Sequence, residues 1–416
     1  MTIPVINATI NFSSGAAFAQ AMILDQGQLD VNILADAVSV IVDVSDVVQS
    51  IQTMRGRNIT ADQFQTGTLT LRIADQNGDF NPQNVTGPYY TLLAPMRKVT
   101  ITATYGTPSV TYPIFAGYIT GYQTTIPNNI EGSSLAITTI TAVDAFRLAN
   151  LAQITSVTGA VANETTGTRI GRILDQIAWP SSQRDIDAGL TTCQADPGTA
   201  RTSLNAMQTA EITEYGALYI DASGNFTFQD RQVTATSVAG TPTVFADDGS
   251  GIDYYDAKWN LSDILVYNQA NITATGLAMQ TATDTTSIDK YFAHTYTQTG
   301  LLMQDTATAL NYAQAYVASR AETSSRCDQL TLDLYTANYD LGIKAALGLD
   351  FFDPVSIQTT QPGNTSITKV EQIFGVAHSI TPGSWRTNFT TMEPIIDSFI
   401  LDSALYGLLD TNVLSY

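Results

Sequence analysis

Few side chains in this sequence could do chemistry. There are two histidines, His294 and His378, and two cysteines, Cys193 and Cys327. Two imidazoles cannot build a three-histidine metal site, and no His-Glu-x-x-His occurs. Each histidine reads as a surface or strand residue rather than a base. The cysteines lie far apart and form no Cys-x-x-Cys, so thiol metal sites and redox motifs are excluded, and one disulfide is the arithmetical limit. Cys193 sits close to Asp196-Pro197 with no histidine near it in sequence. Gly-x-Ser-x-Gly, Gly-x-x-x-x-Gly-Lys and Gly-x-Gly-x-x-Gly are absent. Carboxylates are plentiful: Asp247-Asp248 and the pair Asp253 and Asp256 flank Tyr254, Tyr255 and Trp259. Two carboxylates beside a sugar-stacking surface would suit glycoside hydrolysis, but sequence does not fix their separation. No inserted helical lysozyme-like module stands out. Asp75-Gln-Asn77-Gly-Asp79 opens like a calcium loop, yet Phe80 takes the glycine position and Thr86 the position of the bidentate glutamate. It reads as a turn, with Asn77-Gly78 as the signal. The expectation is a protein that is not an enzyme, with no catalytic, cofactor-binding or metal residues and no cofactor.

The elements that carry these residues follow from composition and pattern. With 416 residues, two to four domains are expected. Hydrophobic residues at 44% supply cores, while only 13% charged residues leave a surface of Thr, Ser, Asn and Gln. Thr favours pleated strands through its branched Cβ. The net charge of −20 comes from 18 basic and 38 acidic residues, and no basic run exists to grip phosphates. Tight nucleic-acid binding is therefore excluded. A wall that DNA passes without sticking fits, as does a simple solubilising acidic surface. The start of the chain has no basic segment leading into an apolar core, so no signal peptide is expected. No apolar run of about 18 residues suggests a transmembrane helix. The 19 tyrosines read as packing residues with a hydroxyl at the rim, or as contacts to carbohydrate or partner surfaces.

Along the chain, residues 1–36 are polar and Ala-rich, either an arm that packs on a neighbour or an edge strand and loop. Strict alternation in Thr68–Ile73 and Val99–Thr104 marks half-buried antiparallel strands. Further strands fit Thr111–Tyr122 and Leu135–Val143, and Arg55-Gly56-Arg57 reads as a basic turn. Ile170, Ile173, Leu174 and Ile177 share a helical face, with Thr168 as N-cap and Pro180 beyond the end. A second helix is expected over Arg201–Tyr215, stopped by Gly216. The hairpin Ala217–Ile220 and Phe226–Asp230 follows. Val233–Asp253 reads as loop. Ile264–Asn268 and Asn271–Thr275 read as strands, and Asp305–Thr323 as a helix capped by Asp305. Strands resume at Gln329–Tyr335, Pro354–Thr359 and Lys369–Ile380. The last segment, Phe399–Asp410, is short and apolar, and is expected to dock on the chain's own barrel in preference to a partner.

The order of motifs between Val40 and Arg97 resembles the first domain of tail-tip hub proteins of long-tailed bacteriophages, also called baseplate hub or minor tail proteins. The motifs are Arg55-Gly56-Arg57, Gly67 to Asp75, Asn77-Gly78-Asp79-Phe80-Asn81-Pro82, Pro88-Tyr89-Tyr90 and Pro95-Met96-Arg97. Asp144-Ala-Phe-Arg-Leu148 resembles that family's strand-end motif. Tyr215-Gly216-Ala217-Leu218-Tyr219 and Gly224-Asn225-Phe226 match its α+β unit, and Thr381 to Phe389 resembles the end of its final β-domain. The resemblance implies a β-rich α+β, multidomain chain of antiparallel β-barrel or sandwich domains with a small α+β domain between them. Its divisions would be an arm at 1–36, a first barrel-like hub domain at 37–150 and the α+β domain at 151–232. A second β-rich hub domain with one helix would follow at 233–398, then a docking segment at 399–416. It further implies a structural virion protein at the tail tip, forming a homotrimeric ring that joins the tube to the tip and surrounds the DNA exit. Partners would be the tail tube or distal tail protein and other tip or fibre proteins, with DNA only in passage and no stable membrane insertion. The competing reading is a tail appendage that binds host-surface carbohydrate.

Overall fold

The computed structural model describes residues 3–13, 40–60, 62–126, 136–237, 240–335 and 340–393. Most of the expected arm, and the whole expected docking segment, lie outside the described residues.

The first half is built from β1 (Val5–Asn11), β2 (Ile41–Asp43), β3 (Val48–Gly56), β4 (Gln65–Ala74), β5 (Lys98–Tyr105), β6 (Val110–Thr125) and β7 (Ile137–Val143). Residues 5–11 pair with residues 98–104 of β5, so this part of the chain is a sheet strand. Period-two alternation sends Leu69, Leu71 and Ile73 into the core beside Val99, Ile101 and Ile140. The Asn77-Gly78 turn is held by Asp75, whose carboxylate accepts from Asp79 N (2.7 Å), Phe80 N (3.1 Å) and Thr138 Oγ1 (2.9 Å). These bonds engage both oxygens within the protein and drive Phe80 into the core, where it meets Tyr89 at 5.2 Å between ring centroids. Arg55-Gly56 continues β3 instead of turning.

A small α+β unit follows: α1 (Phe146–Leu151), β8 (Gln153–Ile154), β9 (Glu164–Thr165), α2 (Thr166–Gln176), β10 (Arg184–Ile186), β11 (Thr192–Cys193), β12 (Arg201–Thr202), α3 (Ser203–Glu214), β13 (Ala217–Ile220) and β14 (Phe226–Gln229). The N-cap of α2 is Thr165, three residues before the expected Thr168, because the Thr165 hydroxyl accepts from Thr168 N. At the end of α3, Tyr215 itself takes the left-handed conformation (φ 62°). Gly216 is needed for a different reason: a Cβ there would lie 2.5 Å from the Gln229 carbonyl oxygen.

The second half contains α4 (Arg231–Thr236), β15 (Thr243–Ala246), β16 (Asp256–Asn260), β17 (Gln269–Ala274), β18 (Gln280–Thr283), α5 (Thr285–Tyr291), β19 (Thr295–Leu301), α6 (Thr306–Arg320), β20 (Arg326–Asp333), α7 (Asp340–Gly348), β21 (Pro354–Thr360), β22 (Ser366–Thr381) and β23 (Ser384–Met392). Three expectations are corrected here. The stretch Val233–Asp253 holds α4 and β15, and β15 pairs in parallel with β21. Ile264–Asn268 is turn and loop; Val266 is buried there without a ladder. Helices α4, α5 and α7 accompany the single one expected, α6, which Asp305 caps through Thr308 N (2.7 Å).

The main sheet has 13 strands, running β16-β20-β23-β22-β3-β4-β7-β6-β5-β1-β2, with β21 and β15 attached beside β22. Its joint is β22 against β3, which pairs residues 375–380 with 51–56. On either side of the joint lies the same meander. β5-β6-β7 and β21-β22-β23 each place a 16-residue strand with a bulge between two shorter antiparallel strands. A second core lies under β18-β17-β19 and α6, where Tyr215, Tyr296, Tyr312 and Tyr316 pack together. The chain is thus a β-rich α+β protein of several structural units.

Candidate assembly surface

The registers define two faces of the main sheet. Arg386, Ser379, Gln52, Thr70 and Thr141 stand opposite one another across β23, β22, β3, β4 and β7. The row Asn388, Ala377, Met54 and Thr68 repeats the pattern two residues along. These side chains are at least partly exposed, as are Arg72 and Thr139, and none is a carboxylate. The intervening row, Thr387, His378, Thr53, Leu69 and Ala142, is buried. A broad face made of Thr, Gln, Ser, Asn, Ala and Met54, with Arg72 and Arg386 as its cations, therefore lies open, and at its border Arg386 bonds Asp333 of β20 (3.3 Å).

Beneath it, an ionic knot fixes the joint. Arg55 bonds Asp350 (3.0 Å) and stacks over Phe351 at 4.9 Å. Arg57 lies over Phe374 at 4.1 Å and donates to the Asp62 carbonyl oxygen (3.0 Å). Burial pushes the Arg57 guanidinium down to about 10. The Asp62 carboxylate accepts from Arg320 (2.9 Å) and from the Tyr316 hydroxyl (3.0 Å), tying the β3–β4 connection to α6. Glu211 accepts from Leu218 N (2.9 Å) and Gln63 Nε2 (3.0 Å), and its burial raises its pKa to about 8. Asp144 and Glu371 are raised by burial to about 7. Asp144 bonds the amides of Gly67 and Phe146, and Glu371 the amide of Cys327.

The residues singled out from sequence do not converge. His378 is buried, shares a 3.0 Å hydrogen bond with Thr387 Oγ1, and is pushed down to about 3 by burial and then by Arg55. His294 lies 3.1 Å from the Tyr291 carbonyl oxygen in another unit. Cys193 and Cys327 are buried free thiols, each raised to about 12 by burial. Asp247 accepts from Thr360 N (2.8 Å) and Asp248 from Gln358 Nε2 (2.6 Å). Tyr254 donates to the Gln358 carbonyl oxygen (3.0 Å) and Trp259 to Thr359 Oγ1 (2.8 Å). These bonds fasten the β15–β16 segment to β21. Among the described residues, no group of three or more His, Cys, Asp or Glu could hold a metal ion. The knot itself carried no sequence signal, since Asp62 and Arg320 are 258 positions apart.

No protein-family model matches the chain, and no curated protein sequence does. Its fold is similar to that of the 43 kDa tail protein of prophage MuSo2 from Shewanella oneidensis: TM-score 0.51 and 13% identity, covering 85% of this chain and 94% of that one. It is also similar to the tail protein from Neisseria meningitidis MC58, with TM-score 0.55 and 10% identity, covering 94% of this chain and 97% of that one. The likeness spans nearly the whole of each chain and is one of fold.

Proposed function

We propose that this chain, built on a fold that it shares with two tail proteins, is a structural subunit of a phage tail. Its place is the distal end of the tail tube, where three copies close into a hub ring. The observation that carries this reading is the single sheet joined at β3–β22, with a similar meander on each side. Two such units per chain give six around a three-fold axis, and the sheet edges at β2 and β16 are where neighbours meet. The carboxylate-poor face suits the wall of a passage for DNA. It has few cations to hold phosphate, and the carboxylate at its border, Asp333, is bonded to Arg386 (3.3 Å). The α+β unit stands apart from that wall. Partners are the tail tube or distal tail protein on one side and tip or fibre proteins on the other. No chemistry is assigned, because the candidate groups are occupied in holding the fold. Among the described residues no helix is long and apolar enough to cross a membrane, and the ring is proposed to stay outside the bilayer.

Antibody labelling of intact particles, viewed by negative-stain electron microscopy, tests the position. Light scattering of the purified chain tests the ring. Label at the axial tip, together with a mass near three times 44.6 kDa, is expected. Label on side fibres would overturn the hub reading and favour a carbohydrate-binding appendage.

A further inference from the structure

A cleft of about 550 Å³ opens where three structural units meet. The β3–β4 connection and the start of β4 bring Asp62, Gln63 and Gln65 to it. Helix α3 brings Leu204, Gln208 and Ile212, and β19 brings Gln298. Junctions between units are where small ligands settle, in cavities of about 300–1,000 Å³.

The chemistry of the lining is narrow. Among the described residues that line the cleft there is no cation and one carboxylate, Asp62. That carboxylate accepts from Arg320 (2.9 Å) and from the Tyr316 hydroxyl (3.0 Å). Its charge is balanced, yet each oxygen keeps a lone pair for a further donor. Four of the other polar groups are amides: Gln63, Gln65, Gln208 and Gln298. The amide of Gln63 is fixed by donating to Glu211 (3.0 Å), which leaves its own oxygen to accept. An amide both donates and accepts, as a hydroxyl or another amide does in return. On α3, Leu204, Gln208 and Ile212 follow at intervals of four and so share one face of the helix. An amide therefore stands between two aliphatic side chains. An acetamido group has the same make-up, a planar amide that ends in a methyl.

We infer that this cleft binds a neutral, N-acetylated saccharide. The acetamido group lies along α3, its amide paired with Gln208 and its methyl on Leu204 or Ile212. The sugar hydroxyls bond Gln298, the Gln63 oxygen and the open lone pairs of Asp62. An acidic sugar is rejected, because the lining offers no cation to receive it. The inference concerns one protomer and does not depend on the ring.

Isothermal titration of the full chain with triacetylchitotriose tests it, with maltotriose as the control sugar. Saturable binding of triacetylchitotriose is expected, tighter than that of maltotriose by about tenfold or more. Gln208→Leu keeps the shape of the wall and removes its amide. It should weaken binding by about tenfold or more with Tm unchanged. If that variant does not fold, Gln298→Leu serves in its place with the same expected loss. Absence of binding, equal affinity for maltotriose, or unchanged affinity in the folded variant would overturn the inference. So would displacement of the sugar by a blocked, uncharged peptide, since the cleft would then receive a segment of a partner protein.

Discussion

The joint between β3 and β22 should fail if a single methyl group is placed in it. Gly56 has φ +114°, and a Cβ there would lie 2.3 Å from the Phe374 carbonyl oxygen and 2.4 Å from Gly375 Cα. Both obstacles are backbone, so no side chain can swing aside, and the strands must part by roughly 1 Å to restore ordinary contact. Overpacking of this kind costs about 1–3 kcal/mol, and the unfavourable backbone conformation adds about 1–3 kcal/mol. Gly56→Ala should therefore lose about 2–6 kcal/mol, centred near 4. Gly300→Ala is the control, because Gly300 also has positive φ (+74°) but nothing within 4 Å of an added Cβ. It should lose only the conformational part, about 1–2 kcal/mol. With an unfolding entropy of about 2.1 cal/mol/K per residue, a loss of 4 kcal/mol lowers Tm by roughly 4–5 °C if all 416 residues unfold together. The shift is larger if the joint opens in a smaller cooperative unit. Calorimetry of the three proteins reads this directly. If Gly56→Ala melts within about 1 °C of Gly300→Ala, the joint is not the tight contact argued here.

Other perturbations probe the buried groups. Glu211, raised by burial to about 8, is more basic folded than unfolded. Its contribution is therefore complete below the unfolded value near 4.5 and is lost as pH rises through about 8, a change of up to about 4–5 kcal/mol. Glu211→Gln should remove that part of the decline in Tm between pH 5 and 9; parallel curves for both proteins would contradict it. Asp62→Ala should cost about 2 kcal/mol, less than a fully buried pair because the Asp62 side chain is 31% exposed. A double-mutant cycle with Arg320→Ala should find a coupling of at least about 1 kcal/mol, and additive losses would count against the knot. Cys193 and Cys327, buried and raised to about 12, should resist a thiol reagent at pH 8 until the protein unfolds; rapid native labelling would refute their placement.

What could be read from sequence was what is decided within a few residues. The pleat fixes a period of two, so Leu69, Leu71 and Ile73 announced both a strand and its buried face. Asp305 lies next to the helix that it caps, so α6 was visible at its start. The capping of α2 slipped by three residues because Thr165 and Thr168 both offer a hydroxyl, and only the chain's approach decides between them. Long-range pairing was not legible. β15 is a strand because β21, more than a hundred residues later, gives it a parallel partner. Ile264–Asn268 has strand-forming residues but joins no ladder, and it is turn and loop instead. The knot around Asp62 escaped for the same reason: charge pairing across 258 positions leaves no local pattern.

The distribution of charge links the fold to assembly more tightly than its sum does. At −20 per chain, three copies would carry three times that charge, and like charges at close contact oppose association. The proposed ring is favoured where its contacts and its inner wall keep unpaired carboxylates apart. The alternation of the main sheet does this on one face: across β23, β22, β3, β4 and β7 the rows of Arg386, Ser379, Gln52, Thr70 and Thr141 and of Asn388, Ala377, Met54 and Thr68 turn outward and hold no carboxylate. Several of the acids instead cap turns or bond backbone amides, as Asp75, Asp144, Asp230 and Asp305 do. The consequence is a surface whose character is independent of the net charge. Placing Asp at Thr70 or Gln52 would leave the core untouched, since both side chains stand on the open face, yet would put a ring of new negative charges wherever three copies bring that face together.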